Sequence, residues 1–187
     1  MRGRTPPAKY LKECFLAVPK NGHLYWAIRP REHFPSQAHA NEWNNRKAGL
    51  RAEGRKAPNG YRKVEVDGKS HYVHRVVWAL MHGDIDPLMH IDHINGDKLD
   101  NRPENLRLAD GAQNAWHHAM YSHNTTGANG VYYEKKRKVY RAQIRVRNRL
   151  INLGQSPFID VAIHLRRQGE ATYYGEYANH STNEQSN

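Results

Sequence analysis

Apolar and polar positions alternate over short distances in the first 74 residues, which predicts short elements. Residues 8–18 (AKYLKECFLAV) predict a helix, and 23–29 (HLYWAIR) alternate like a strand. Residues 30–58 are polar with scattered Pro and Gly, which indicates mostly loop. Residues 60–74 predict a hairpin, because Asp67-Gly68 separates two alternating runs and this dipeptide is typical of tight turns.

A strand–loop–strand–helix order is predicted for the middle of the chain. A short apolar helix at 75–83 (RVVWALMHG) precedes it. We assign four of its side chains to a core: Val76, Val77, Leu80 and Met81. Asp110 suits the N-cap of the helix predicted at 111–122. These elements are expected at 88–94, 95–104, 106–110 and 111–122.

The last third of the chain predicts a three-stranded antiparallel sheet followed by a helix. The expected strands are 130–135, 139–147 and 150–154. The helix, 159–173, has an apolar face formed by Val161, Ala162, Leu165 and Gly169. The fold class expected for the whole chain is therefore α+β.

Apolar and charged side chains alternate along the middle strand of this sheet, so one face of the strand is apolar and the other is cationic. The side chains expected to face the helix are Ala142, Ile144 and Val146. Those expected to face solvent are Arg141, Gln143, Arg145 and Arg147. Residues 134–149 hold eight cations and a single acid, so DNA contact is favoured over a merely solvated face.

Charge divides the chain into two basic flanks around an acidic, His-rich segment. The 187 residues carry a net charge of +11, with net +9 in 1–66, −3 in 67–121 and +6 in 122–180. The surplus favours a nucleic-acid partner. Carboxylates inside a polyanion-binding protein need a cation, which suggests a divalent metal and phosphodiester chemistry; the alternative is a solvated acidic face away from DNA.

Composition excludes several classes of protein. Mean hydropathy is −0.95. No apolar run is long enough to cross a membrane, and the basic N-terminus lacks the apolar stretch of a signal peptide. The single cysteine, Cys14, excludes an internal disulfide framework and a Cys-based zinc finger. We expect a cytoplasmic protein, in the host cytoplasm if it is phage-encoded.

The segment 90–114 (HIDHINGDKLDNRPENLRLADGAQN) carries the candidate chemistry. Asp92 and His93 are neighbours on the first strand, Asn105 enters the second strand and Asn114 opens the helix. A hairpin packed on a helix can bring Asp92 and Asn114 together with His93 beside them. Their oxygens are hard ligands suited to one Mg²⁺ or Mn²⁺ ion, and a nearby imidazole can accept a proton from water at neutral pH.

This segment resembles the HNH endonucleases, whose core is the ββα-metal fold. The match covers the Asp-His pair, the His-to-Asn spacing, the NRPENLR stretch and the helix Asn, and it extends upstream into the leader of phage and homing-type members. The resemblance implies that His93 is the general base, that Asp92 and Asn114 hold the metal, and that Asn105 braces the loop and orients His93. The implied products carry a 5′-phosphate and a 3′-hydroxyl.

The sequence departs from the family pattern at the third motif position, which is Asn114 instead of His. Members with His there often bind a transition metal through a further His four residues on. His118 stands at that spacing on the same predicted helix face and is an accessory candidate ligand or phosphate contact. Asp97, Asp100 and Glu104 are expected to cap the loop.

Residues 130–178 resemble the APETALA-type (ethylene-response-factor) DNA-binding domain, a three-stranded sheet with a helix. The resemblance implies that the sheet enters the major groove of double-stranded DNA. The cationic face would then meet bases and phosphates, with Tyr140 and Arg149 near the backbone. The alternative function for the whole chain is a non-catalytic, sequence-specific DNA-binding regulator.

The expected organisation has three functional parts, and a monomer is favoured. The basic region 1–58 suggests added DNA contact but contains no recognisable site. A nuclease domain is expected at 59–121, with its core at about 88–121, and the DNA-binding domain at 130–178. The linker 122–129 joins them, and the tail 179–187 is expected to be disordered.

Overall fold

The computed structural model describes residues 5–16, 20–54, 56–116 and 126–178. It divides the chain into two compact units, Met1–Leu108 and Ala109–Asn187. The α+β class expected from the sequence is confirmed: short helices alternate with three small sheets, β1-β2, β3-β4 and β5-β6-β7. No described helix combines the length and apolar character needed to span a membrane.

The first unit contains α1 (Ala8–Cys14), α2 (Gln37–Lys47), α3 (Val73–His82) and two strand pairs. The first pair is the predicted hairpin of β1 (Lys63–Val66) and β2 (Lys69–Tyr72). Its turn residues Asp67 and Gly68 have φ of 50° and 70°, the left-handed backbone that a two-residue hairpin turn requires. The second pair is β3 (His90–His93) with β4 (Leu106–Ala109).

One hydrophobic core joins the N-terminal segment to the elements that follow it. Leu11 and Cys14 of α1 and Leu24 have no exposed surface. They belong to the same buried cluster as Val64 of β1, Val76 of α3 and further side chains of the hairpin, α3, β3 and β4. Side chains of 8–15 and 24–26 therefore form part of the interior of the first unit, which the sequence pattern did not predict.

A buried arginine ties the N-terminal segment to the hairpin turn. Arg29, 5% exposed, donates to Asp67 Oδ1 at 2.7 Å and to Tyr10 Oη at 2.8 Å. Tyr10 also hydrogen-bonds to Asp67. Since a buried guanidinium needs an anion and several acceptors, this network fixes the position of the β1–β2 turn against α1.

Three predictions for the N-terminal half are wrong. The expected loop 30–58 contains α2, whose N-cap Ser36 accepts a hydrogen bond from the backbone N–H of His39. This helix is polar and buries Ala40, so it lacks the apolar period that reveals most helices. The expected strand 23–29 is reduced to isolated bridges, Phe15 to Trp26 and Tyr25 to Arg51.

The third error concerns where α1 ends. The helix stops at Cys14, because Phe15 is extended and bridges to Trp26 instead. Residues 17 and 18 of the expected helix lie outside the described residues. In α3, Val76 and Val77 are buried as expected, but Met81, in the last turn, is 50% exposed.

The second unit contains α4 (Gly111–Trp116) and the C-terminal sheet and helix. The sheet consists of β5 (Val131–Glu134), β6 (Val139–Val146) and β7 (Arg149–Ser156), and α5 spans Ile159–Tyr174. The strands are antiparallel in the order β5-β6-β7, as predicted. A bulge interrupts the β6–β7 register at Ala142/Gln143.

Helix α5 packs on one face of this sheet. Ala162 and Gly169 are buried at helical spacing, and Ala142 and Ile144 of β6 are buried beneath the helix with no exposed surface. Val161, which we assigned to this face, is 46% exposed because it lies about 100° around the helix from Ala162.

Truncation of Leu11 tests whether the N-terminal segment is part of the core. We expect Leu11→Ala to lower the free energy of unfolding of the first unit by about 2–5 kcal/mol, because it leaves a cavity in a fully buried site. Urea denaturation of the full chain measures this loss. Leu16, 47% exposed, is the matched control, and an equal loss in Leu16→Ala would contradict the shared core.

Candidate active site

Strand β3 carries two adjacent side chains of the predicted site. Asp92 and His93 are neighbours, so their side chains leave the strand in opposite directions. Both are buried, with 8% and 3% of their surface exposed. Because buried polar groups need hydrogen-bond partners, the neighbours of each side chain define the site.

Asp92 is held by an arginine of the paired strand. Its Oδ2 accepts hydrogen bonds from Nε and Nη2 of Arg107, at 2.9 and 2.8 Å. Arg107 lies on β4, and 12% of its side chain is exposed. Arg107 was not among the predicted site residues, although an arginine in the strand paired with that of Asp92 is a possible partner for a buried carboxylate. The protein therefore compensates one carboxylate of the acidic segment internally.

The His93 ring is hydrogen-bonded to a second residue that the sequence analysis did not single out. Nε2 of His93 lies 3.2 Å from Oδ1 of Asn101, and Asn101 is 3% exposed. The amide nitrogen of Asn101 donates to the carbonyl of Leu99 at 3.2 Å. Asn101 lies in the NRPENLR stretch, but its side-chain contact with His93 depends on the path of the loop.

Aromatic rings enclose His93 on other sides. His74 meets it edge-on with ring centroids 5.1 Å apart, and the Tyr61 centroid lies 5.8 Å away. Burial lowers the pKa of His93 below its usual value. Burial, together with the neighbouring His93 and Arg75, lowers the pKa of His74 to about 3. The neutral imidazole is favoured at both positions.

Asn105 closes the loop between β3 and β4. Its Oδ1 accepts from the backbone N–H of Asn95 at 3.0 Å, and its Nδ2 donates to Asn95 Oδ1 at 2.9 Å and to the carbonyl of Asp100 at 2.8 Å. Its carbonyl accepts from the N–H of Ile94 at 2.8 Å. Asn105 thus connects the start of the loop to its end, and it holds the ends of β3 and β4 together.

Two of the three carboxylates expected to cap this loop accept backbone N–H bonds within it, Asp97 and Asp100, whereas Glu104 forms an ion pair with Arg102. Asp97 Oδ1 accepts from the N–H of Leu99 at 2.9 Å. Asp100 accepts from Nε and Nη2 of Arg102 at 2.8 and 2.7 Å. The hydrogen bond from Arg102 lowers the pKa of Asp100 to about 2.

The two other predicted ligands lie outside the first unit. Asn114 is in α4, whose predicted cap is confirmed: Oδ1 of Asp110 accepts two backbone N–H bonds of the first turn, each at 2.8 Å. His118 falls outside the described residues. In the described part of the chain, no three His, Cys, Asp or Glu side chains are placed to hold a metal together. A metal would therefore need amide, water or phosphate oxygens beside Asp92.

The C-terminal sheet presents a polar face opposite α5. Arg145 is exposed there. Arg141 is half-buried and forms an ion pair at 2.7 Å with Glu134 of β5. Arg147 does not extend β6 as expected, because it lies in the β6–β7 turn with φ of 51°. Arg149 is exposed at the start of β7.

Tyr140 lies apart from the arginines of this face. It packs against the buried cluster that includes Ala142 and Ala162. Its ring centroid is 4.9 Å from that of Tyr133. Arg149 pairs with Val146 in the β6–β7 register, so it too points away from the face that carries Arg145.

Comparisons with known proteins point to the same segment. Residues 71–116, from β2 to α4, match the HNH endonuclease family. The chain is 29% identical over 105 residues to Protein 3.8 of Escherichia phage T7, across 56% of this chain and 86% of that protein. No solved structure matches the chain. The matched segment contains Asp92, His93, Asn105 and Asn114, and it supports an HNH nuclease.

Proposed function

We propose that the protein is a metal-dependent DNA endonuclease that hydrolyses phosphodiester bonds. The observation that carries the proposal is the buried His93 beside Asp92, on a loop closed by Asn105, within the segment that matches the HNH endonucleases. A net charge of +11 suits a polyanionic substrate.

His93 acts as the general base in this proposal. Its neutral ring accepts a proton from water, the water oxygen attacks phosphorus, and the bond from phosphorus to the 3′ oxygen breaks. The 3′ oxygen takes a proton from solvent water and leaves as a hydroxyl, and the phosphate remains bonded to the 5′ oxygen. Asn105 acts as the brace of the loop, through its bonds to Asn95 and Asp100.

A divalent ion, Mg²⁺ or Mn²⁺, fits the donors that the sequence offers. Asp92 provides a carboxylate and Asn114 a carboxamide, both hard oxygen donors, and His118 stays an accessory candidate. Mg²⁺ commonly binds one or two protein carboxylates and completes its coordination shell with water and phosphate. A site with Asp92 as its one carboxylate is consistent with this preference. When bound, the ion supplies positive charge that stabilises the leaving oxygen.

The C-terminal unit serves as the DNA-binding module in this proposal. Support comes from its three-stranded sheet with one covering helix and from the cations on and beside the sheet. The residues proposed to contact DNA are Arg141, Gln143 and Arg145 on the face opposite α5 and Arg147 in the β6–β7 turn; Tyr140 and Arg149, which point to the other side of the sheet, are not part of this face. We favour Arg145 among them, because it is exposed on the polar face opposite α5. Arg141, by contrast, is half-buried and paired with Glu134.

Removal of the proposed base tests the activity. We expect the parent to nick supercoiled plasmid DNA with Mg²⁺ or Mn²⁺, and His93→Ala to lose about 10²–10⁴-fold in rate because water is no longer deprotonated. His82, exposed at the end of α3, gives the control His82→Ala, which should cut like the parent. A folded parent that binds DNA but never nicks it would favour the regulator instead.

Metal dependence is tested by titration. EDTA should abolish nicking, and added Mg²⁺ or Mn²⁺ should restore it. In Asp92→Asn, loss of the ligand charge should raise the Mg²⁺ concentration for half-maximal rate by about tenfold or more. Asp97→Asn makes the same change of charge on an exposed part of the loop and should leave that concentration unchanged; equal shifts in both variants would argue against Asp92 as a ligand.

DNA binding by the C-terminal sheet is tested through its salt dependence. We expect Arg145→Ala to weaken binding and to reduce the slope of log affinity against log salt by about 1, since one phosphate contact is lost. Fluorescence anisotropy between about 50 and 200 mM salt measures the slope. Arg167→Ala removes the same charge from the exposed side of α5. Indistinguishable slopes for the two variants would rule out the proposed face.

A further inference from the structure

The hydrogen bond between His93 and Asn101 determines which ring nitrogen carries the proton. Oδ1 of Asn101 has no hydrogen to donate, so Nε2 of the neutral ring must be the donor across the 3.2 Å contact. The amide cannot be reversed without cost, because its Nδ2 donates to the Leu99 carbonyl. The lone pair of the neutral ring is then on Nδ1.

The surroundings of the ring oppose other orientations. His74 and Tyr61 pack against His93 with centroids 5.1 and 5.8 Å away, and His93 is 3% exposed. The other tautomer would place an unprotonated Nε2 against Asn101 Oδ1, where two acceptors meet, and a ring turned by 180° would place Cε1 there and lose the hydrogen bond. Between two buried side chains such a mismatch is costly.

A turn of the N-terminal segment holds Asn101 from behind. Gly22 has φ of +71°, and a Cβ at this position would lie 2.2 Å from the carbonyl carbon and oxygen of Asn101 and 2.4 Å from the nitrogen of Arg102. The absence of a side chain at Gly22 therefore allows two backbones to touch. The contact places part of the basic N-terminal region directly behind the loop of the site.

We propose that Asn101 is a positioning residue that holds His93 as the Nε2–H tautomer, with Nδ1 presented as the basic nitrogen, and that the Gly22 turn keeps Asn101 in place. The inference rests on the proposed nuclease function for its catalytic meaning. It gives residues 20–22 a role in the chemistry without contact with DNA or with the reacting atoms.

The tautomer can be measured without activity. In metal-free protein labelled with ¹⁵N at its 13 histidines, the His93 ring signals are identified by their absence in His93→Ala. We expect the parent to show a protonated Nε2 and an unprotonated Nδ1. In Asn101→Leu, which has similar size but no acceptor, the two shifts should move towards each other as both tautomers become populated. Asn45→Leu makes the same change at an exposed position of α2, away from this loop, and should keep the parent pattern.

Plasmid nicking provides the second measurement on the same variants. Asn101→Leu should lose about 10²-fold in kcat with unchanged KM for DNA, because the base is misplaced while the DNA contacts remain. A variant with the parent tautomer and the parent kcat would overturn the proposal. A parent that holds the Nε2–H tautomer and loses it in Asn101→Leu but never nicks DNA would refute the nuclease function and leave the positioning intact.

Two glycines test the role of the N-terminal turn. Gly22→Ala should shift the His93 ring signals and lower kcat about tenfold by displacing the Asn101 backbone. Gly49 has a similar φ of +80° but no atom within 4 Å of an added Cβ, so Gly49→Ala carries the same backbone strain without the displacement. Equal effects in both variants would overturn the role of the turn. If Gly22→Ala does not fold, Asn21→Ala, which removes the acceptor of the His23 N–H in the same turn, should shift the same ring signals, and unchanged signals would overturn the role of the turn.

Discussion

Closure of the loop between β3 and β4 by Asn105 is the constraint on which the site depends. The side-chain amide of Asn105 bonds to Asn95 at the start of the loop and to the carbonyl of Asp100 in its middle. The backbone carbonyl of Asn105 accepts from the N–H of Ile94, which directly follows β3. This closure holds the loop that carries Asn101 against the end of the strand pair that carries Asp92. The polar interior of the loop substitutes for the apolar core that so short a segment cannot form.

Local signals predicted those parts of the fold that local physics determines. The hairpin turn at Asp67-Gly68 follows from backbone conformation, and the cap at Asp110 follows from side-chain chemistry. The strands of the C-terminal sheet were predicted from the alternation of apolar and polar residues along the chain. By contrast, α2 carries almost no apolar period, so the signal that reveals amphipathic helices was missing.

The candidate site was predictable in its residues but not in its partners. Asp92, His93 and Asn105 stand out because their types and spacing agree with a known family. Arg107 and Asn101 do not, since their roles arise from strand pairing and loop path, which depend on contacts between residues distant in sequence. The contribution of 8–15 and 24–26 to the core was missed for the same reason, because the burial of Leu11 depends on elements more than 50 positions away.

The interior position of Cys14 has a practical consequence. Burial raises the pKa of its thiol to about 11, and the side chain has no exposed surface. The folded protein is therefore inert towards maleimide reagents, because these attack accessible thiolates. A cysteine introduced on the polar face of the C-terminal sheet, or on the loop between β3 and β4, can therefore be labelled selectively. Fluorophores and spin labels at these positions can report on each unit while Cys14 is kept.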